Sequence, residues 1–165
     1  PNTLDSHWRD DLVTFLLGCS FSFEHALMAN GIDLPYYGTD RNVPMFITNI
    51  ATAESGSFAG PMVVSQRWIP SDKVVRAVQA TSRFPDTHGA PIHIGDPAKI
   101  GISDITKPDF GEVWEQSTDD EVPVFWACGV TPQSVAMASK PQLMITHSPG
   151  HMFVTDLKDE DLAVM

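Results

Sequence analysis

Apolar positions along this chain fall into short runs whose spacing switches repeatedly between the helical and the extended period. Trp8, Leu12, Phe15 and Leu16 recur at helical spacing opposite Arg9, Asp10 and Asp11, which predicts a first helix over residues 8–17 with Gly18 as its stop. A second helix is expected from about 22 to 29, with Ser20 or Ser22 as cap and Asn30-Gly31 as terminator. After a turn-rich stretch over 33–42, two runs opened by prolines read as strands, 45–50 and 62–69, joined by a small, polar linker over 51–60. Ser71-Asp72 opens a helix to about Arg83, with Val74, Val75, Val78 and Thr81 as its apolar face. A loop follows to Pro91, then a short apolar element at Ile92-His93-Ile94, a turn at Gly95-Asp96-Pro97, and a strand candidate over 99–105.

The run 122–128 is almost continuously apolar, as a buried strand would be. Gly129-Val130-Thr131-Pro132 then switches to a helix ending near Ser139, with Thr131 as cap and Pro132 at its first turn. Strands are expected over 142–146 and 152–155, separated by a turn over 147–151, and the acidic tail from 157 onward reads as loose. The last strand, helix and strand form a candidate right-handed crossover. The fold class this predicts is α/β: a mixed sheet with flanking helices, in one domain over 1–165, with 41–105 as a small α+β lobe.

Composition narrows the partners. At 165 residues, 42% hydrophobic and 19% charged, the chain can bury a core of its own. Acidic residues outnumber basic ones 21 to 10, a formal net charge of -11. That balance argues against nucleic acid, which needs a basic footprint, and against anionic membrane surfaces. No apolar run is long enough to span a bilayer and no signal peptide is visible, so the expectation is a cytoplasmic protein. Two cysteines do not make a disulfide framework.

Candidate chemistry collects in loops at strand ends, where α/β sheets place their ligands. Four of the six histidines, His88, His93, His147 and His151, lie in two such loops with Asp96 and Asp156 nearby in sequence. They read as an acid/base set, a metal site or loop hydrogen bonds; Pro149 and Gly150 prevent His147 and His151 from sharing a helical zinc motif. Cys128-Gly129-Val130-Thr131 joins a buried strand to a helix start, where backbone N–H groups of Gly129 and Thr131 suit a carboxylate. Cys128 is either a nucleophile activated by that helix start or a packed thiol. Glu24, between Phe23 and His25, is either a desolvated carboxyl serving as general acid or an exposed helix residue. Ser20 reads as a nucleophile or a cap, and Arg67 and Arg83 as carboxylate-binding groups or salt-bridge partners.

Five segments together resemble one family: Gly18-Cys-Ser-Phe-Ser-Phe-Glu24, Gly60-Pro-Met-Val-Val-Ser65, His88-Gly-Ala-Pro-Ile-His-Ile-Gly-Asp-Pro97, Phe125-Trp-Ala-Cys-Gly-Val-Thr-Pro-Gln133 and Thr146-His-Ser-Pro-Gly-His-Met152. It is the hydro-lyase family to which the D-glutamate cyclase domain is similar, and the resemblance runs from about Trp8 to Asp156. It implies a lyase that eliminates water, most concretely one that closes D-glutamate to 5-oxo-D-proline. It also implies a further segment before Trp8 that this chain does not carry. The chemistry it implies needs a base on the ammonium, from His93 or His147. It needs an acid on the leaving oxygen, from Glu24, Asp96 or His151, and a cationic seat for the α-carboxylate, from Arg67, Arg83 or the 129–131 turn. No organic cofactor is implied; a divalent metal stays open, as does a homo-oligomer. Two rivals remain: a metal-dependent amide or lactam hydrolase, and a non-catalytic domain that binds a small carboxylate.

Overall fold

The computed structural model describes residues 3–148 and 151–164. Its strands are β1 (Met45–Ala51), β2 (Pro61–Pro70), β3 (His93–Ile94) and β4 (Glu121–Ala127). They form one sheet in the order β1-β2-β4-β3, and each neighbouring pair is antiparallel. Three α-helices accompany it: α1 (Glu24–Ala29), α2 (Val74–Thr81) and α3 (Thr131–Ser139). Helices and a sheet in one mixed α/β fold is the class the sequence predicts. Residues 41–105 supply β1, β2 and β3 to the sheet that β4 completes.

The period of two along β2 sends alternate side chains to opposite faces. Val63 and Ile69 pack with Val124 and Trp126 of β4 against Phe23, Leu27, Ala77 and Ala80, so α1 and α2 cover this face. Val64 packs on the other face with Phe46, Phe125, Ile100 and Ile102. Each fully buried side chain of the size of Phe23 or Leu27 contributes roughly 1.5–3 kcal/mol by leaving water. Both faces of β2 and β4 are covered, which is why β4 reads as a nearly unbroken apolar run; in β2 the run is broken by Ser65-Gln66-Arg67.

α1 begins two residues later than its spacing predicts, after a 3-10 turn over Ser20–Phe23. It ends where Gly31, at φ 74°, lets its N–H bond Met28 O and that of Ile32 bond Leu27 O. α2 buries Ala77, Ala80 and Thr81, while Val75 points to solvent, so the helix presents a face rotated from the valine stripe.

Four expected elements do not form. Residues 8–17 carry no helix; Trp8, Phe15 and Leu16 are 64, 78 and 76% exposed. An amphipathic helix of ten residues is marginal until something covers its apolar face, and among the described residues nothing does. Residues 142–146 and 152–155 are not strands, and the parallel crossover is absent among the described residues. Neither would pair with β4 directly, which already has β2 on one side and β3 on the other. The strand expected over 99–105 gives way to a 3-10 turn over Pro97–Ile100, where Asp96 Oδ1 accepts Ala98 N at 3.0 Å and Gly101 stops the turn at φ 84°. The acidic tail is not loose either. Asp159–Leu162 forms a 3-10 turn, Leu162 and Ala163 pack on the core, and Val164 N donates to Arg83 O at 2.7 Å. Pro149 and Gly150 of the predicted turn lie outside the described residues. Among the described residues no helix is long and apolar enough to cross a membrane.

Candidate active site

Arg67 sits in the middle of β2, on the face covered by α1, and its residue is 2% exposed. A guanidinium is tolerated there only if its N–H groups are bonded and its charge is paired. Nη2 donates to Glu24 Oε1 at 2.5 Å and to Ser20 Oγ at 3.1 Å, and Nη1 donates to Ser65 Oγ at 3.0 Å. Nε is shared between Tyr36 Oη at 2.8 Å and Glu24 Oε1 at 3.1 Å, while Tyr36 Oη itself donates to Glu24 Oε1 at 2.7 Å. The rings of Phe23 and Trp126 each lie 5.3 Å from Arg67 Cζ. Burial pushes the Tyr36 hydroxyl far above the ordinary phenol range, so it stays a donor at every working pH.

The 3-10 turn and α1 start where they do because of this cluster. Ser20 does not cap a helix: its hydroxyl accepts from Arg67 and lies 3.5 Å from that of Ser65. Glu24, 3% exposed, is neither solvent-facing nor unpartnered; its carboxylate anchors α1 to β2. Thr131 likewise does not cap α3. Its Oγ1 donates to Val63 O at 3.2 Å and accepts Val63 N at 3.0 Å, and this pair pins the helix start to β2.

Beside the Arg67 cluster, the chain segments before Ser20 and after β4 meet the loop that carries His88. Gly18 is packed so closely that a Cβ there would lie 1.9 Å from Asp86 O. A Cβ on Gly129 would lie 3.7 Å from Gly18 O and 3.9 Å from His88 Nε2. His88 adopts φ 81°, a conformation that side chains other than glycine rarely hold. Its Nε2 is buried with no hydrogen-bond partner. Burial first, and the Arg67 charge second, push its imidazole down to about 4, so the ring is neutral near pH 7. A strained backbone, an unbonded buried nitrogen and two glycines at one point are a recurrent signature of functional sites.

Cys128 and Cys19 flank the same spot, and both are free thiols. Burial, the largest effect, raises both, Cys128 to about 11. The start of α3 does not overcome that burial, so both thiols stay protonated near neutral pH.

The sequence-predicted residues therefore divide. Ser20, Glu24, Arg67, Cys128, Gly129 and Thr131 come together around the sheet face covered by α1 and the start of α3. His93 and Asp96 do not join them. His93 pairs with Phe125 across β3 and β4, on the opposite face of the sheet, and its Nε2 is 2.7 Å from Asp96 O. His147 is exposed, with Nδ1 2.6 Å from Ser148 O, and His151 is also exposed. Gln133 Nε2 donates to His147 O at 2.9 Å, which ties this segment to α3 through the backbone of His147 and not its ring. Arg83 Nε donates to Val164 O at 3.1 Å and serves the tail.

Two members of the assembled cluster lie outside the residues singled out for roles by sequence, and a third was singled out only as one of a group. Tyr36 and Ser65 carried no spacing signal, and His88 was one of four loop histidines that spacing could not rank. Among the described residues, no three His, Cys, Asp or Glu side chains group closely enough to hold a metal ion.

Segments 18–24, 60–65 and 125–133 and the start of 88–97 thus converge on one buried polar centre within an α/β scaffold. The family model described as D-glutamate cyclase matches residues 13–156, and the chain belongs to that family. Among its relatives, a protein of Stutzerimonas stutzeri (strain A1501) named "Putative hydro-lyase" is 62% identical over 158 residues, 96% of this chain and 59% of its own length. Similarly named proteins of Thermoanaerobacter sp. (strain X514) and Psychrobacter arcticus are each 64% identical over 162 residues, 98% of this chain and 61% of theirs. The chain thus spans about three fifths of the length of these relatives.

Proposed function

We propose that this chain contributes the active site of a lyase that eliminates water from a small carboxylic or amino acid, most concretely ring closure of D-glutamate to 5-oxo-D-proline. The observation that carries the reading is the buried, unbonded Nε2 of His88, facing the Gly18–Gly129 notch beside the fixed Arg67 guanidinium.

Ring closure forms a bond from the amine nitrogen to the γ-carboxyl carbon, and one oxygen of that carboxyl leaves as water. The two protons lost by the ammonium are the two carried off in the water, so no net proton is consumed. One imidazole can take a proton from nitrogen and deliver it to the departing oxygen. A neutral ring is needed to begin, and burial keeps His88 neutral. An anionic substrate beside it raises its basicity toward the working range. In the first turn of α3, Thr131 N already donates to Cys128 O and Gln133 N to Val130 O, and Pro132 carries no N–H, so these amides are not the seat of the α-carboxylate. Arg67 is enclosed and acts by position: it holds Ser20, Glu24 and Ser65 in place and adds positive potential in a protein of net charge -11. Glu24 is cast as the residue that holds Arg67.

The test is formation of 5-oxo-D-proline from D-glutamate by the purified protein, followed by chiral chromatography, alongside L-glutamate and a panel of 2-hydroxy acids. Turnover falling by about 10²-fold or more in His88→Asn, a residue that tolerates the same backbone conformation, is the expected result. No turnover of any member of the panel would overturn the reading, and wild-type rates in His88→Asn would remove His88 from it.

A further inference from the structure

A second candidate site lies along the edge of β2 beyond β1. β1 leaves β2 after the Met45–Ser65 pair, and Pro44 O accepts the last bond, from Gln66 N at 3.0 Å. Beyond that point, among the described residues, no strand lies beside the β2 edge that faces away from β4. The segment 113–117 crosses there instead, with Trp68 Nε1 donating to Trp114 O at 2.7 Å. Between the edge and this segment opens a cleft of about 530 Å³, within the range of small-molecule sites. Tyr36 and Arg67 of the buried cluster line this cleft too, whereas His88 and the glycines and cysteines around it do not.

Gln66 lines it, is 1% exposed, and carries an Nε2 without a hydrogen-bond partner. A buried donor left unbonded is costly, and an acceptor on a ligand removes that cost. The walls are aromatic: Tyr36, Trp68 and Trp114. The rim carries both signs of charge. Arg41 is half-exposed with Cζ 4.0 Å over the Trp114 ring; its Nη2 donates to Val113 O at 2.8 Å and its Nε lies 3.6 Å from Glu112 Oε2, which leaves Nη1 to face a ligand, and opposite in sign stand Glu115 and Glu121. Glu121 Oε2 accepts Ser117 N at 2.6 Å, which fixes that carboxylate at the rim.

An apolar body between aromatic rings, an ammonium toward the carboxylates, and a carboxylate toward Arg41 and the Gln66 amide describe one class of ligand. We propose that this cleft binds a free α-amino acid with an aliphatic or aromatic side chain, at a site separate from His88. Such a ligand has no γ-carboxyl and cannot close a ring, so it is not the substrate of the cyclisation reading, although Tyr36 and Arg67 belong to both sites.

Calorimetry and tryptophan fluorescence with both enantiomers of leucine and phenylalanine test it. 4-Methylpentanoate, which lacks the amine, and 3-methylbutylamine, which lacks the carboxylate, are the comparisons. The expected result is saturable one-to-one binding of at least one amino acid, with each fragment at least about tenfold weaker, a difference of about 1.4 kcal/mol. Gln66→Leu weakens that binding by about tenfold. Arg41→Gln, on the exposed rim, repeats the test without touching the core, and His88→Asn leaves the affinity unchanged. The proposal is overturned if none of the four amino acids saturates, if the deaminated acid binds as well as its parent, if both Gln66→Leu and Arg41→Gln bind as wild type does, or if His88→Asn abolishes binding.

Discussion

His88 should make the fold sensitive to mild acid, and the size of the effect follows from its burial. The ring falls from its ordinary pKa of 6.5 to about 4 in the folded protein. In the unfolded chain it takes up a proton as pH drops below about 6.5; in the fold it resists until about 4. The contribution is therefore intact above about pH 7.5, is lost as pH falls between those values, and is flat below them. The gap of about 2.5 in pKa sets a ceiling near 3.4 kcal/mol, of which about 2.5 kcal/mol is lost by about pH 4.5. Urea denaturation followed by tryptophan fluorescence, at about pH 7.5 and about pH 4.5, measures it. Carboxylates and the other histidines titrate in both proteins, so the quantity read is the difference between wild type and His88→Asn. Wild type should lose about 2.5 kcal/mol more than the variant over this interval. Losses that agree within about 0.5 kcal/mol would refute the claim that His88 is held neutral by burial.

The Arg67 cluster predicts strong coupling: Arg67→Met leaves Glu24 buried without its cation and should cost about 3–5 kcal/mol in urea denaturation, part of which returns when Glu24→Gln is added. Strict additivity of the two changes would refute the pairing. Gly18→Ala pushes a methyl toward Asp86 O, from which a Cβ would lie only 1.9 Å away, and should lower stability by more than about 2 kcal/mol, visible as a lower Tm. An unchanged Tm would show that this approach is looser than described. Cys128, raised to about 11 from an ordinary 9.0, should react with iodoacetamide at about pH 8 roughly 10²-fold more slowly than in urea, and Cys19, raised by burial too, should also be slow. A thiol that reacts at the unfolded rate would contradict that burial.

Much of this protein is decided within short stretches of sequence. The apolar runs of β2 and β4, the proline-opened β1, and α1 between Phe23 and Asn30-Gly31 are legible because periodicity, caps and glycine stops act over a few residues. Arg67 stood out for a related reason, as a cation inside an apolar run. Other features depend on what lies beside a segment. Residues 8–17 have the pattern of a helix but nothing among the described residues covers them, and 142–146 and 152–155 have the pattern of strands but the places beside β4 are taken by β2 and β3. Tertiary structure alone decided which histidine counts. His88, His93, His147 and His151 are equivalent as loop residues, yet only His88 sits on the Arg67 side of the sheet against Gly18 and Gly129. Tyr36 reached Arg67, and Ser65 reached Ser20, through contacts between distant segments. A side chain's chemistry is written in the sequence, but its burial, its partners and hence its charge are set by segments far along the chain.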